Sequence, residues 1–110
     1  MNQSISLLAL TIAATAAVTA NTFVVATGVT STAAGNAIGV ARTDAESGDD
    51  MLVDVIGTSV VTAAVSISKG DEIEVAAAGK ATLLFAGVKV AVGWEDAGAD
   101  EPVEVLLIAN

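Results

Sequence analysis

The sequence predicts a mainly β fold, organised as one small β-barrel or β-sandwich with at most a short helical turn. Three observations lead to this class. Apolar and polar residues alternate with a period of two in several segments. Gly, Asn and Asp residues of the kinds that form turns separate these segments at near-regular spacing. The 110 residues suffice for a single domain, residues 1–110, and show neither a linker nor a strict internal repeat.

The first predicted strand lies in the N-terminal part of the chain, which carries no ionisable side chain before Arg42. Its even positions from Leu8 to Ala20 hold large aliphatic residues or alanine, whereas threonines fill three of the odd positions. A period of two that also sorts the large aliphatic side chains favours a strand over a helix. We predict a strand here that can break at Ala13 and Ala14.

The later segments follow the same period. Residues 42–50 hold at most one helical turn, because Thr43 and Glu46 have the spacing of a capping box that Gly48 closes. Within 88–94, the even positions up to Trp94 are expected to share one face, opposite the odd positions. The further predicted strands cover residues 22–29, 38–41, 52–61 with an interruption at Gly57, 65–68, 72–75, 81–85, 88–94 and 103–108.

The composition excludes most catalytic chemistry. Without His, Cys and Tyr, the chain lacks imidazole acid–base groups, thiol nucleophiles, disulfides and the usual zinc or iron ligands. The acidic stretch that begins at Asp44 fails the EF-hand pattern, since its twelfth position is Val55 and not Glu. We therefore expect no enzyme activity, no cofactor and no metal site.

Charge and hydrophobicity restrict the partners. A net charge of −9 with four widely separated basic residues disfavours nucleic acid, because phosphate binding needs clustered Lys and Arg. A hydrophobic fraction of 54% with 15% charged residues is unusually apolar for a small soluble domain. The apolar run 7–20 contains three threonines and is shorter than the roughly 20 residues that span a bilayer. Other protein subunits, and not a membrane, are therefore expected to cover the apolar surplus.

An alternative interpretation makes residues 1–20 a cleaved signal peptide of a secreted or cell-surface β-domain. Val18 and Ala20 resemble a cleavage site, but the positively charged start of such a peptide is missing. On composition and spacing alone, the subunit-binding protein and the secreted domain both stay open.

Six short motifs stand along the chain in a recognisable order. They are AVTAN at 17–21, GVA at 39–41 with DA at 44–45, GT at 57–58, KGDEI at 69–73, GKA at 79–81, and GWEDAG at 93–98 with VEVLL at 103–107. Each motif by itself is turn chemistry between strands. Their order and spacing over nearly the whole chain resemble those of the bacteriophage head-decoration proteins, also called capsid cement or stabilising proteins.

The resemblance implies both a fold and a function. It implies a β-tulip-like domain that forms a homotrimer on the outer surface of a phage head. Its partner would be the major capsid protein, and its function would be structural, namely to stabilise contacts between major capsid subunits in the virion. No catalytic group, membrane or nucleic acid is part of this function.

The contact residues expected for such a function lie at the N-terminus and at the single tryptophan. Residues 1–10 form a candidate extended arm, which is uncharged and can add a strand to the edge of a neighbouring sheet. The alternative is that this segment pairs with the protein's own last predicted strand, 103–108. Trp94 ends an apolar strand and is a candidate interface anchor. The candidate contact residues are Asn2, Gln3, Ser4, Ile5, Leu8, Leu10 and Trp94.

Overall fold

The computed structural model describes residues 6–85 and 87–108, and these form eight β-strands and one short 3-10 turn. The strands are β1 (Ser6–Ala13), β2 (Phe23–Val24), β3 (Gly39–Ala41), β4 (Asp50–Thr62), β5 (Glu72–Val75), β6 (Ala81–Leu83), β7 (Ala91–Gly93) and β8 (Pro102–Leu107), and the 3-10 turn is Ala77–Gly79. The mainly β fold with one short helical turn is confirmed.

The strands form one sheet that curves back on itself. Their order is β2-β3-β4-β8-β7-β5-β6, and β1 pairs with β4 in addition. Ala63, which follows β4, forms a parallel bridge with Ala81 at the start of β6. The Ala64 N–H donates to the Ala81 carbonyl at 2.7 Å. This contact nearly closes the sheet into a barrel, so the barrel form of the prediction is correct.

The longest strand, β4, belongs to two parts of the sheet. Its first residues pair with β1 and β3, and residues 58–62 pair with β8. Gly57 lies between these parts with φ 111°, a backbone conformation that residues with a Cβ atom rarely adopt. The register with β1 shifts between Ser6 and Ala9, which is the signature of a β-bulge. The interruption predicted at Gly57 is therefore a bulge inside a continuous strand.

The chain folds as two halves of the same topology, residues 6–56 (the first half) and residues 57–108 (the second half). In the first half, β1 pairs with the first part of β4. In the second half, the last part of β4 pairs with β8 in the same way. β2 pairs with β3 as β5 pairs with β7. β3 then pairs with β4 as β7 pairs with β8. The two halves therefore share strand order and pairing, although the sequence shows no strict repeat.

A corner of identical construction occurs once in each half. In the first half, Val18 and Ala45 exchange two backbone hydrogen bonds of 2.8 and 2.9 Å, and the Ala20 N–H donates to Asp44 Oδ1 at 2.7 Å. The second half repeats these bonds with Ile67 and Ala97, both at 2.9 Å, and with Lys69 N–H and Asp96 Oδ1 at 2.8 Å. The DA pairs at 44–45 and 96–97 are thus the same structural element used twice.

Each half encloses an apolar core. The first core contains Ala14, Val18, Val24, Ala41, Ala45, Met51 and Val53. The second core contains Val61, Ala63, Ile67, Ile73, Val75, Ala81, Val90, Ala91, Val103, Val105 and Leu107. Three side chains of the first half, those of Phe23, Ala37 and Val40, also belong to the second core. These three residues join the two halves into one domain.

Residues 42–50, for which at most one helical turn was predicted, form none. Ala45 is held in an extended bridge to Val18, and the chain then forms a tight turn in which the Asp49 N–H donates to the Glu46 carbonyl at 2.9 Å. The described helical turn lies instead at Ala77–Gly79. The corner overrides the capping-box spacing because a strand contact fixes the residue between Thr43 and Glu46.

The face predicted for residues 88–94 is interrupted between Val90 and Ala91, which are both buried, and the alternation continues from there to Trp94. Ala91 and Gly93 are buried, whereas Trp94 is exposed. A Cβ atom on Gly93 would lie 2.9 Å from the Ser68 carbonyl oxygen and 3.0 Å from Ile67 Cγ2. Small residues are needed here because the barrel interior is narrow at this point.

Two other predicted strands are shorter than expected. Of residues 22–29, only Phe23–Val24 form a strand, and residues 65–68 contribute only the bridge of Ile67 to Ala97. Among the described residues, no helix is long and apolar enough to cross a membrane.

Replacing Gly39 by Ala is expected to lower the free energy of unfolding by about 2–3 kcal/mol through overpacking. The new Cβ atom would lie 2.0 Å from the Asp54 carbonyl oxygen, so β3 must move away from β4. Gly48→Ala is the control, because φ is +94° there but no atom lies within 4 Å of the new Cβ. It should cost about 1 kcal/mol, through backbone strain alone. Denaturant unfolding measures both values, and equal losses would contradict the steric argument.

Candidate interaction surfaces

A first apolar surface lies where β1 meets the bulge of β4. Leu8 and Ile56 are register partners across the two strands, and Leu10 follows on β1. Their side chains are 42%, 43% and 40% exposed, respectively. We call these three residues the β1 surface. Exposed large aliphatic side chains that lie together are typical of interaction sites.

The predicted N-terminal arm is placed only in part. Residues 6–10 belong to β1 and pair with β4, while residues 2–5 lie outside the described residues. The alternative pairing with the last strand is wrong for the described part, because β8 lies between β4 and β7. In the described sheet β4 is the one strand partner of β1. The second edge of β1 therefore presents backbone donors and acceptors to which another strand can be added.

The segment after β1 is integral to the domain. Ala14 and Val18 are buried in the first core, and the Ala14 N–H donates to the Asp49 carbonyl at 2.8 Å. Cleavage after Ala20 would remove β1 and both buried side chains from the fold. This geometry speaks against a signal peptide at residues 1–20.

A second surface surrounds Trp94, whose side chain is 46% exposed directly after β7. The Trp94 N–H donates to the Glu104 carbonyl at 2.9 Å, which fixes the backbone. Lys69 Nζ lies 5.4 Å from the centre of the indole ring, within the range of a cation–π contact. Trp94 is thus a surface residue with an ordered cation beside it. The corresponding position of the first half is Arg42, whose N–H donates to the Leu52 carbonyl.

A third apolar surface was missed by the sequence analysis, which assigned residues 81–85 to a strand. β6 ends at Leu83, and the following loop presents Phe85 to solvent. The Phe85 and Gly87 N–H groups both donate to Glu74 Oε1. The available signal was the apolar sequence LLFAG at 83–87, which ends in a glycine and contains no charged residue.

A polar cavity of about 210 Å³ lies at the junction of the two halves, lined by Asn21, Arg42, Asp54, Ser59 and Val60. Asp54 is fully buried, although the period of two places it on the outer face of β4. Its Oδ2 atom accepts a hydrogen bond from Ser59 Oγ at 2.8 Å and lies 3.6 Å from Arg42 Nε. The junction of the two halves covers the outer face of β4 at Asp54. The alternation of residues along one strand does not reveal this contact.

The acidic residues after position 42 fix turns. Asp44 accepts the Ala20 N–H, and Asp49 Oδ2 accepts the Glu46 N–H at 3.2 Å. Across residues 6–85 and 87–108, no three His, Cys, Asp or Glu side chains converge in a way that could hold a metal ion.

Comparison with known proteins shows a family and a similar fold. The sequence matches the family described as phage cement protein over residues 2–107. The fold is similar to that of the head fiber gp8.5 N base of bacteriophage phi29, with a TM-score of 0.75 and 19% sequence identity. The superposition covers 92% of this chain and 93% of the phage phi29 chain. No curated protein matches the sequence.

The buried Asp54 carboxylate makes Arg42 important for stability. Replacing Arg42 by Met is expected to lower the free energy of unfolding by about 2 kcal/mol, because the buried Asp54 carboxylate then loses the cation that lies 3.6 Å away. Lys80→Met is the matched control, since Lys80 pairs with the exposed Asp100 at 3.3 Å. That change should cost less than about 1 kcal/mol. Urea unfolding of both variants measures the difference, and the Arg42 argument fails if both lose equally little.

Proposed function

Because this chain belongs to the phage cement protein family, we propose that it binds the outer surface of a phage capsid as a homotrimer and stabilises contacts between major capsid subunits. The family match over residues 2–107 carries this proposal. At the level of the family, the protein is a structural component of the phage capsid and hence of the virion.

The surface of the molecule supports a role in protein–protein contacts. Exposed apolar side chains occur at the β1 surface, at Trp94 and at Phe85, on a domain that already has two packed cores. Side chains of this type bury much area against a partner, and aromatic residues commonly anchor interfaces. The family is a structural one, and we propose no catalytic activity.

Trimer formation would follow from contacts between unlike surfaces. In a threefold ring each copy uses one patch to bind the next copy and a second patch to accept the previous one. Exposed apolar side chains on β1, directly after β7 and after β6 offer candidate patches for such contacts. Three copies joined in this way would bind the shell through three identical contacts at once, which strengthens attachment without new chemistry.

The proposed shell contact uses the N-terminal arm, with Trp94 as a second anchor. Residues 2–5 precede the open edge of β1 and carry the polar side chains Asn2, Gln3 and Ser4. A strand added through backbone hydrogen bonds gains about 1 kcal/mol per bond, so one arm binds modestly and three arms bind firmly.

Electron micrographs of shells with and without the purified protein test the function directly. We expect added density with threefold symmetry on the outer surface, and decorated shells that resist heating better than bare shells. Density inside the shell, or isolated single copies on it, would contradict the proposal.

Deleting residues 2–5 should abolish or strongly reduce decoration of shells and leave the thermal unfolding midpoint nearly unchanged, because β1 begins at Ser6. Deleting residues 109–110, which follow β8, is the control for shortening the chain. Co-sedimentation with shells measures binding, and thermal unfolding measures stability.

Normal decoration by the shortened protein would show that the arm is not the attachment device. Loss of folding would show that residues 2–5 are a structural part of the domain.

A further inference from the structure

Phe85 is the most exposed large apolar side chain described in this protein, with 95% of its surface open to solvent. Leu83 and Val88 on either side are also exposed. Burying a side chain of this size away from water is favourable, and here that gain is not realised within the molecule. We call Leu83, Phe85 and Val88 the apolar knob.

Hydrogen bonds fix the backbone of the knob at Leu84, Phe85 and Gly87. Glu74 is buried, and its Oε1 atom accepts hydrogen bonds from the Phe85 N–H at 2.5 Å and from the Gly87 N–H at 3.2 Å. The Leu84 N–H also donates to the Glu72 carbonyl at 2.9 Å. Because these bonds fix the backbone of Leu84, Phe85 and Gly87, these residues lose little conformational entropy when the knob binds.

An open cavity of about 300 Å³ on the first half has the chemistry to receive such a knob. It is lined by Val25, Ala26, Asn36, Ala37 and Ile38, four of which are apolar. An apolar cavity of about 150 Å³ is large enough to hold benzene, so the space suffices for one phenyl ring. Val25 and Ile38 are only partly buried and would gain from being covered.

The domain already uses the same kind of contact internally. Phe23 of the first half is completely buried in the second core, beside Val90 and Leu107. Ala37 and Ile38, which line the open cavity, also line this internal junction. The cavity is therefore continuous with a place where an aromatic ring already joins two halves.

Charge favours a second copy of the chain as the occupant. Two copies with a net charge of −9 repel each other except where acidic groups are absent from the contact. The knob segment 81–88 and the cavity, which lies within residues 1–41, have no ionisable side chain. Of the acids beside the knob, Glu74 is buried and Glu72 is paired with Lys89 at 3.1 Å. We propose that Phe85 of one copy inserts into the cavity lined by Ala26 of the next copy. The inference rests on the proposed function, since it names the contact that joins copies in the proposed trimer.

Two variants test the contact from both sides. Phe85→Lys removes the knob, and Ala26→Glu places an acid in the cavity; both positions are exposed, so the fold should be retained. We expect either change to weaken self-association by about tenfold or more in sedimentation experiments. Val65→Lys and Ala99→Glu make the same charge changes at exposed positions outside the contact and should associate like the natural chain.

Mixing the two variants gives the decisive result. The Ala26→Glu protein keeps its knob and the Phe85→Lys protein keeps its cavity, so the mixture should recover a 1:1 complex that neither variant forms alone. Natural chain that stays monomeric at concentrations saturating shells, or a Phe85→Lys protein that associates normally, would overturn the inference.

Shell binding separates this inference from the proposed function. If Phe85→Lys loses decoration but keeps the natural oligomer, the knob contacts the capsid, and the proposed contact between copies is wrong. If the natural chain associates through the knob but decorates no shell, the proposed function fails and the contact between copies stands.

Discussion

The bulge at Gly57 is the constraint on which the architecture depends. β4 is the last strand of the first half and the first strand of the second, so one continuous strand must serve two differently oriented sets of neighbours. The positive φ of Gly57 and the shifted register opposite it allow this change of direction without breaking the backbone pairing. The two cores are therefore connected by one continuous, hydrogen-bonded strand and not by a flexible linker.

The halves share a backbone but differ in their side chains where they meet. Phe23 faces the second core, whereas its counterpart in the second half is Glu72, ion-paired with Lys89 at 3.1 Å. An apolar residue there joins the halves, and the ion pair keeps the equivalent outer face of the second half solvated. In the pair of Asp54 and its counterpart Leu106, the polar residue belongs to the first half and the apolar one to the second. Asp54 is buried beside the polar cavity at the junction. Equivalent positions have thus diverged according to what covers them.

The sequence predicted the class of fold because alternation and turn residues are local signals, and it located the breaks at Ala13 and Gly57. It did not reveal the duplication, since the halves agree in hydrogen bonding and differ in residue type, as in the pair Arg42 and Trp94. The sequence allowed one helical turn at 42–50, and none forms because the bridge of Ala45 to Val18 is a long-range contact that the local pattern does not reveal. Of the candidate contact residues, Leu8, Leu10 and Trp94 are exposed as an interface requires, and residues 2–5 lie outside the described chain. Phe85 was missed because its exposure depends on Glu74, which is distant in sequence.

The distribution of charge connects the duplication with the proposed function. All 17 ionisable side chains of the sequence, four basic and thirteen acidic, lie at or after Arg42. The first half therefore contains a long uncharged stretch that includes β1, β2 and β3, while all the acids lie after it, mostly in turns on both halves of the chain. Acidic turns keep the molecule soluble and away from nucleic acid, and uncharged strands can approach another protein without electrostatic cost. Both halves are acidic, since the first carries five of the thirteen acids and the second eight, so it is the uncharged stretch before Arg42, and not a neutral half, that separates these two requirements.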